Sequence, residues 1–121
     1  MKTIKQILEV LNLISVQTFM YIYDEFGCDV FTLDSNTTFD DVSAYIDLED
    51  NFKNLKSLNI EIIISGRTQL DHDSTQIVIS VDSHLFAADG YYSSYDSDDY
   101  DGSDWYVAKE QEVIIKYYNK K

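Results

Sequence analysis

The chain contains no proline and four glycines, at positions 27, 66, 90 and 102. No turn is fixed by a pyrrolidine ring, so tight reversals fall to these glycines. A single cysteine, Cys28, excludes an internal disulfide framework and a multi-cysteine zinc site. It fits a reducing compartment and reads as a small buried hydrophobe. Long apolar runs are missing too. Near the N-terminus the longest is Phe19–Tyr23, far short of a membrane span. Lys2 and Lys5 precede apolar residues as in a secretory leader, but Gln6, Glu9, Asn12 and Gln17 interrupt them, and no small-x-small cleavage pattern follows. The expectation is a soluble protein of the cytoplasm that engages no membrane.

Positive charge is the scarcest commodity. Nine basic residues face 22 acidic ones, for a net charge of −13. Between Lys5 and Lys53 there is no Lys or Arg, while ten acids occur; between Arg67 and Lys109 there is again none, and nine aspartates occur. Acids so segregated have few local partners, and their field extends beyond the surface. Direct nucleic-acid binding is disfavoured, because phosphates are neutralised by Lys and Arg.

Catalytic patterns are absent as well. The two histidines, His72 and His84, sit in no metal or nucleophile motif, although Asp71-His72-Asp73 invites the question. No Ser/His/Asp pattern, phosphate loop or paired zinc-ligand spacing can be written. The sequence argues against an enzyme and calls for no cofactor.

What is present suffices for a fold. Hydrophobic residues make up 45% of 121, enough for one domain with a core of its own. Thr3–Ile14 reads as an amphipathic helix, with Ile4, Ile7, Leu8, Leu11 and Ile14 on one side. Thr18–Tyr23, rich in aromatic and β-branched residues, reads as a strand that pairs with Cys28–Leu33 across Asp24-Glu25-Phe26-Gly27; one long helix continuing to Tyr23 is the alternative. Thr38 caps a helix whose buried side is Phe39, Val42, Ile46, Phe52 and Leu55, although Val42–Leu48 also alternates as a strand would. Ser57–Ser65 is the clearest strand, with Leu58, Ile60, Ile62 and Ile64 on one face. Thr75–Val81 returns beside it, with Ile77, Ile79 and Val81 inward. Trp105–Tyr118 alternates as a last strand, most clearly over Glu112–Tyr118. The sum is an α+β domain spanning residues 1–121: an antiparallel sheet of four or five strands with one or two helices on one face.

One stretch stands apart. Asp89–Asp104, DGYYSSYDSDDYDGSD, holds six aspartates, four tyrosines and no positive charge. It reads as an acidic surface loop. Tyrosine supplies large apolar area, few rotors and a polar tip, which makes it a common interface anchor. Trp105 and Tyr106 are expected to pack against the sheet, and Tyr91, Tyr92, Tyr95 and Tyr100 to stand exposed among the acids. The candidate partner-binding residues are therefore Asp89, Tyr91, Tyr92, Tyr95, Asp96, Asp98, Asp99, Tyr100, Asp101 and Asp104. Asp40, Asp41, Asp47, Glu49 and Asp50 form a second acidic set. A calcium loop is the competing reading, since Asp99 and Asp101 precede Gly102. As an EF-hand it fails: the first position would be Ser97 and the twelfth Ala108.

Carboxylates on a folded scaffold can stand in for phosphates. Same-face strand residues lie about 6.6–6.8 Å apart, and duplex DNA carries one charge per ~1.7 Å of axis. In size, composition and clustered acids, especially over Asp24–Asp50 and Asp71–Asp104, the chain resembles the small acidic proteins of phages and mobile elements that inhibit host defence nucleases, the anti-CRISPR and anti-restriction DNA mimics. The resemblance rests on no shared motif. It implies an inhibitory binding module in the host cytoplasm, seated on the basic nucleic-acid groove of a nuclease such as a CRISPR effector. A toxin-neutralising immunity protein and a calcium-binding module are the alternatives.

Overall fold

A computed structural model describes residues 2–67, 74–92 and 98–109. Four helices precede an antiparallel sheet, so the α+β class holds, with more helix than the sequence suggested. Helix α1 spans Ile4–Leu11 and opens on a capping box: Thr3 Oγ1 accepts from the Gln6 amide, and Gln6 Oε1 accepts from the Thr3 amide.

The second element departs from expectation. Val16–Phe26 is helix α2, and the expected hairpin of Thr18–Tyr23 with Cys28–Leu33 does not form. Nor is there one long helix, because the chain breaks between α1 and Ser15. The Ser15 hydroxyl accepts from the Thr18 amide and starts the helix anew. Val16, Phe19, Met20 and Ile22 are buried at helical spacing, so tertiary burial overrides the strand preference of this aromatic run. Gly27 ends α2 at φ +100°, a conformation that favours glycine. Cys28–Leu33 then forms successive turns; Val30 and Phe31 point inward, while Cys28 is exposed rather than buried.

Thr38 does introduce a helix, with its amide donating to Asp41 Oδ2 at 2.9 Å. That helix, α3, is a single turn over Phe39–Val42. The buried face expected of one helix is divided between α3, an irregular segment carrying Ile46, and α4 at Glu49–Ser57 with Phe52 and Leu55. Neither one helix nor a strand occupies Val42–Leu48.

Strand β1 is Glu61–Arg67, later than expected, because Ser57 and Leu58 complete α4. β2 is Ser74–Val81 and β3 is His84–Tyr92; they pair over eight residues each across a two-residue turn, Asp82-Ser83, both at positive φ. Along β2, Thr75, Ile77, Ile79 and Val81 are buried, as the alternation predicts. In β1 the pattern fails after Ile62. A bulge shifts the register between Ile62 and Ile64, so Ile64 is exposed instead of sharing the inner face with Ile60. Two short strands, β4 (Asp98–Asp99) and β5 (Tyr106–Ala108), pair with different parts of β3. Among the described residues the sheet is thus four places wide, with β4 and β5 sharing the fourth. The last strand expected over Glu112–Tyr118 lies outside the described residues.

Helices cover one face of the sheet. At their junction the aromatic rings form a line: Trp105 meets Phe19 edge-on at 5.2 Å, Phe19 stacks on Phe31 at 4.8 Å, and Phe31 lies 6.2 Å from Phe52. Each such pair adds about 0.5–1.5 kcal/mol beyond its burial. Phe31 sits at the centre of this line and also binds β1's approach, its carbonyl accepting from the Ile60 amide at 3.0 Å. Phe31→Ala should cost about 3–5 kcal/mol of stability, read as the shift in urea midpoint at unchanged slope. Leu33→Ala, a residue 63% exposed two positions away, should move it by less than about 0.5 kcal/mol.

Candidate interaction surface

The described parts of the acidic stretch, residues 89–92 and 98–104, are tied into the fold. The first four residues, Asp89 to Tyr92, complete β3, and Asp98–Asp99 returns against them, with Tyr91 opposite Asp99 and Tyr92 opposite Asp98. Tyr95 and Asp96 lie outside the described residues. Tyr100, expected to be exposed, is fully buried. Its ring lies over Gly90: a Cβ there would come within 2.7 Å of the ring and 2.6 Å of the Asp99 carbonyl. Its hydroxyl is 3.2 Å from Thr75 Oγ1, in the only buried polar side chain of the described core, and its amide donates to Gln17 Oε1 of α2. Glycine is needed at position 90 because another part of the chain crosses it, not for its φ.

Beyond Tyr100 the chain turns tightly. The Asp101 amide donates to Asp99 Oδ1 at 2.9 Å, the Ser103 amide to the Tyr100 carbonyl at 3.0 Å, and Gly102 takes φ +79°. Asp99, Asp101 and Asp104 are left pointing into solvent, and Trp105 dives back into the core. Tyr106 packs less fully than expected, at 40% exposed. Its hydroxyl donates to Asp89 Oδ1 at 2.8 Å and accepts from Gln76 Nε2 at 3.1 Å. Partial burial first, and the Asp89 carboxylate second, push its pKa above the ordinary phenol value, against the opposing effect of Gln76. Tyr91, as expected, is open, at 69%.

The second acidic set lies at the starts of α3 and α4. Asp40 and Asp41 occupy the first turn of α3, Glu49 and Asp50 that of α4, and Asp47 precedes it. Helix N-termini favour these charges. Glu49 also meets Lys53 at 3.7 Å, an exposed pair of little energetic weight.

Helix α2 touches the segments that carry both sets. Gln17, near its start, holds Tyr100, and Glu25, near its end, accepts a hydrogen bond from Tyr45 in the segment between α3 and α4. Tyr21, 52% exposed, lies with its ring 6.4 Å from that of Tyr45. Hydrogen bonding to Glu25, then burial, then the Glu25 charge raise the Tyr45 pKa. Tyr21, Asp24, Glu25 and Tyr45 are therefore part of the acidic and aromatic surface, although the sequence reading assigned Asp24 and Glu25 to a hairpin turn. The i, i+4 spacing of Tyr21 and Glu25 was the signal that would have placed them on one helical face.

All sixteen carboxylates whose side chains are described stand exposed. Among the described residues no group of three or more His, Cys, Asp or Glu is arranged to hold a metal ion. No described helix is long and apolar enough to cross a membrane. No protein-family model, curated protein or solved structure matches the chain.

The Tyr106 bonds yield a pH prediction. Tyr106→Phe should cost about 1 kcal/mol near neutrality. Because the folded-state pKa lies above the unfolded value of 10.0, the phenol's contribution is complete below that value and fades as pH rises through the folded one. The stability gap between wild type and Tyr106→Phe, measured by urea unfolding, should therefore narrow above about pH 10.

Proposed function

We propose that this chain is an inhibitory protein-binding module that occupies the basic nucleic-acid-binding surface of a host defence nuclease, such as a CRISPR effector. The observation that carries the reading is the outward placement of every carboxylate whose side chain is described, around a core that, among the described residues, holds no charged side chain. A catalytic acid or base works from a partly enclosed setting that shifts its pKa. Carboxylates held in open solvent instead act through their summed field, which steers a basic partner into contact and sets the salt dependence of the encounter.

The arrangement supports mimicry in two further ways. Asp40, Asp41, Glu49 and Asp50 lie on helices and Asp99 on a strand, so part of the spacing is set before binding and less ordering entropy is lost. Tyr21 and Tyr91, both more than half exposed, offer the apolar anchors that charge lacks.

The test is binding to a guide-loaded CRISPR effector nuclease with and without excess duplex DNA. The expected result is retention that DNA abolishes, with association slowing steeply as salt rises. Asp99→Asn, Asp101→Asn and Asp104→Asn combined should slow association about tenfold at low salt and leave dissociation nearly unchanged. Retention indifferent to both DNA and salt would overturn mimicry.

A further inference from the structure

We propose that the edge of β1 left unpaired by the described residues receives an extended strand from a partner protein, and that a lysine or arginine of that strand seats in an acid-lined cleft where β1 begins. β1 is an end strand: among the described residues it pairs with β2 alone. Exposed edges are normally blunted by proline, lysine, charge or brevity. From Ile62 to Ser65 this edge carries no charge and no proline. Its one irregularity, the bulge at Ile63, leaves two consecutive isoleucines at the surface, Ile63 at 46% and Ile64 at 50% exposure.

The chain ahead of β1 fixes where such a strand would start. Phe31 and Leu33 already flank residues 59 and 60, through the Ile60 amide to the Phe31 carbonyl and the Leu33 amide to Asn59 Oδ1, both at 3.0 Å. From Glu61 onward no described residue pairs along this flank. At that point lies a cleft of about 630 Å³ between the Cys28–Thr32 turns, the start of β1 and the β2–β3 turn. Asp29, Glu61 and Asp82 line it, Ser80 and Ser83 add hydroxyls, and no Lys or Arg takes part. Three carboxylates without a cation select a basic side chain. The edge amides and carbonyls would supply sequence-independent affinity, and Ile63 and Ile64 an apolar contact.

This edge is on the far side of the sheet from β4 and β5, so the inference stands whether or not the acidic turn mimics nucleic acid. The probe is a short peptide of alternating threonine and valine headed by one arginine, added to the isotope-labelled full chain and followed by amide NMR. Shifts are expected along Glu61 to Arg67 and at Asp29 and Asp82. Methylating alternate peptide nitrogens should abolish them. Glu61→Gln with Asp82→Asn, both at exposed positions, should weaken the arginine peptide roughly tenfold and leave a peptide headed by alanine unchanged. No shift in β1 at about millimolar peptide, or equal binding of the methylated peptide, would overturn the proposal. So would β1 amides that move on dilution of the protein alone, since the edge would then belong to a second copy.

Discussion

The acidic stretch holds its course because one ring lies across one glycine. Tyr100 covers Gly90 of β3, reaches Thr75 on β2 through its hydroxyl, and takes Gln17 of α2 at its backbone amide. Sheet, helix layer and acidic turn meet at this single residue. Without it, Asp98–Asp99 would lose the contact that seats it beside Tyr91 and Tyr92, and the turn would rest on Ser103 and Trp105 alone. A burial of this kind also resolves a conflict of composition. Six aspartates in sixteen residues favour solvation and disorder, and one large, fully enclosed tyrosine holds the described residues around it against that tendency.

Electrostatics constrains the remainder. With 22 acids and nine bases, most carboxylates cannot be neutralised within the chain. The fold answers by keeping the described ones in water and by setting four of them, Asp40, Asp41, Glu49 and Asp50, against helix N-termini, where backbone amides offset part of the repulsion. Self-repulsion lowers the stability of the compact state, and the line of rings from Trp105 through Phe19 and Phe31 to Phe52 counters it with contacts that salt and pH leave untouched.

Much of this was legible where one period dominated. The apolar face of α1, the alternation of Ile77, Ile79 and Val81, and the cap at Thr38 emerge from local pattern. Where two patterns compete, packing decides. Phe19, Met20 and Ile22 suit a strand by type, yet they lie at helical spacing and are buried as a helix. Ile64 suits the inner face by alternation, yet one extra residue at Ile63 turns it outward. Tyr100 looks like its neighbour Tyr91, and nothing local separates the anchor from the exposed ring. The clue was Gly90, ten residues earlier, which marks a close approach whose other party cannot be read from the chain. The cleft at the start of β1 was hidden for the same reason: Asp29, Glu61 and Asp82 are far apart in sequence and are gathered only by the turns around them.

Trp105 gives the molecule an optical gauge. It is the sole tryptophan, it follows Asp104 directly, and it is 5% exposed with its indole edge-on to Phe19. Its Nε1 finds no hydrogen-bond partner among the described residues, so the indole sits in a largely apolar setting. Emission from such a ring is shifted to the blue and moves to the red on contact with water. Lifting the turn off α2 would draw Trp105 out along with it. The colour of this protein's own fluorescence thus reports whether its carboxylates are held in formation, with no label attached.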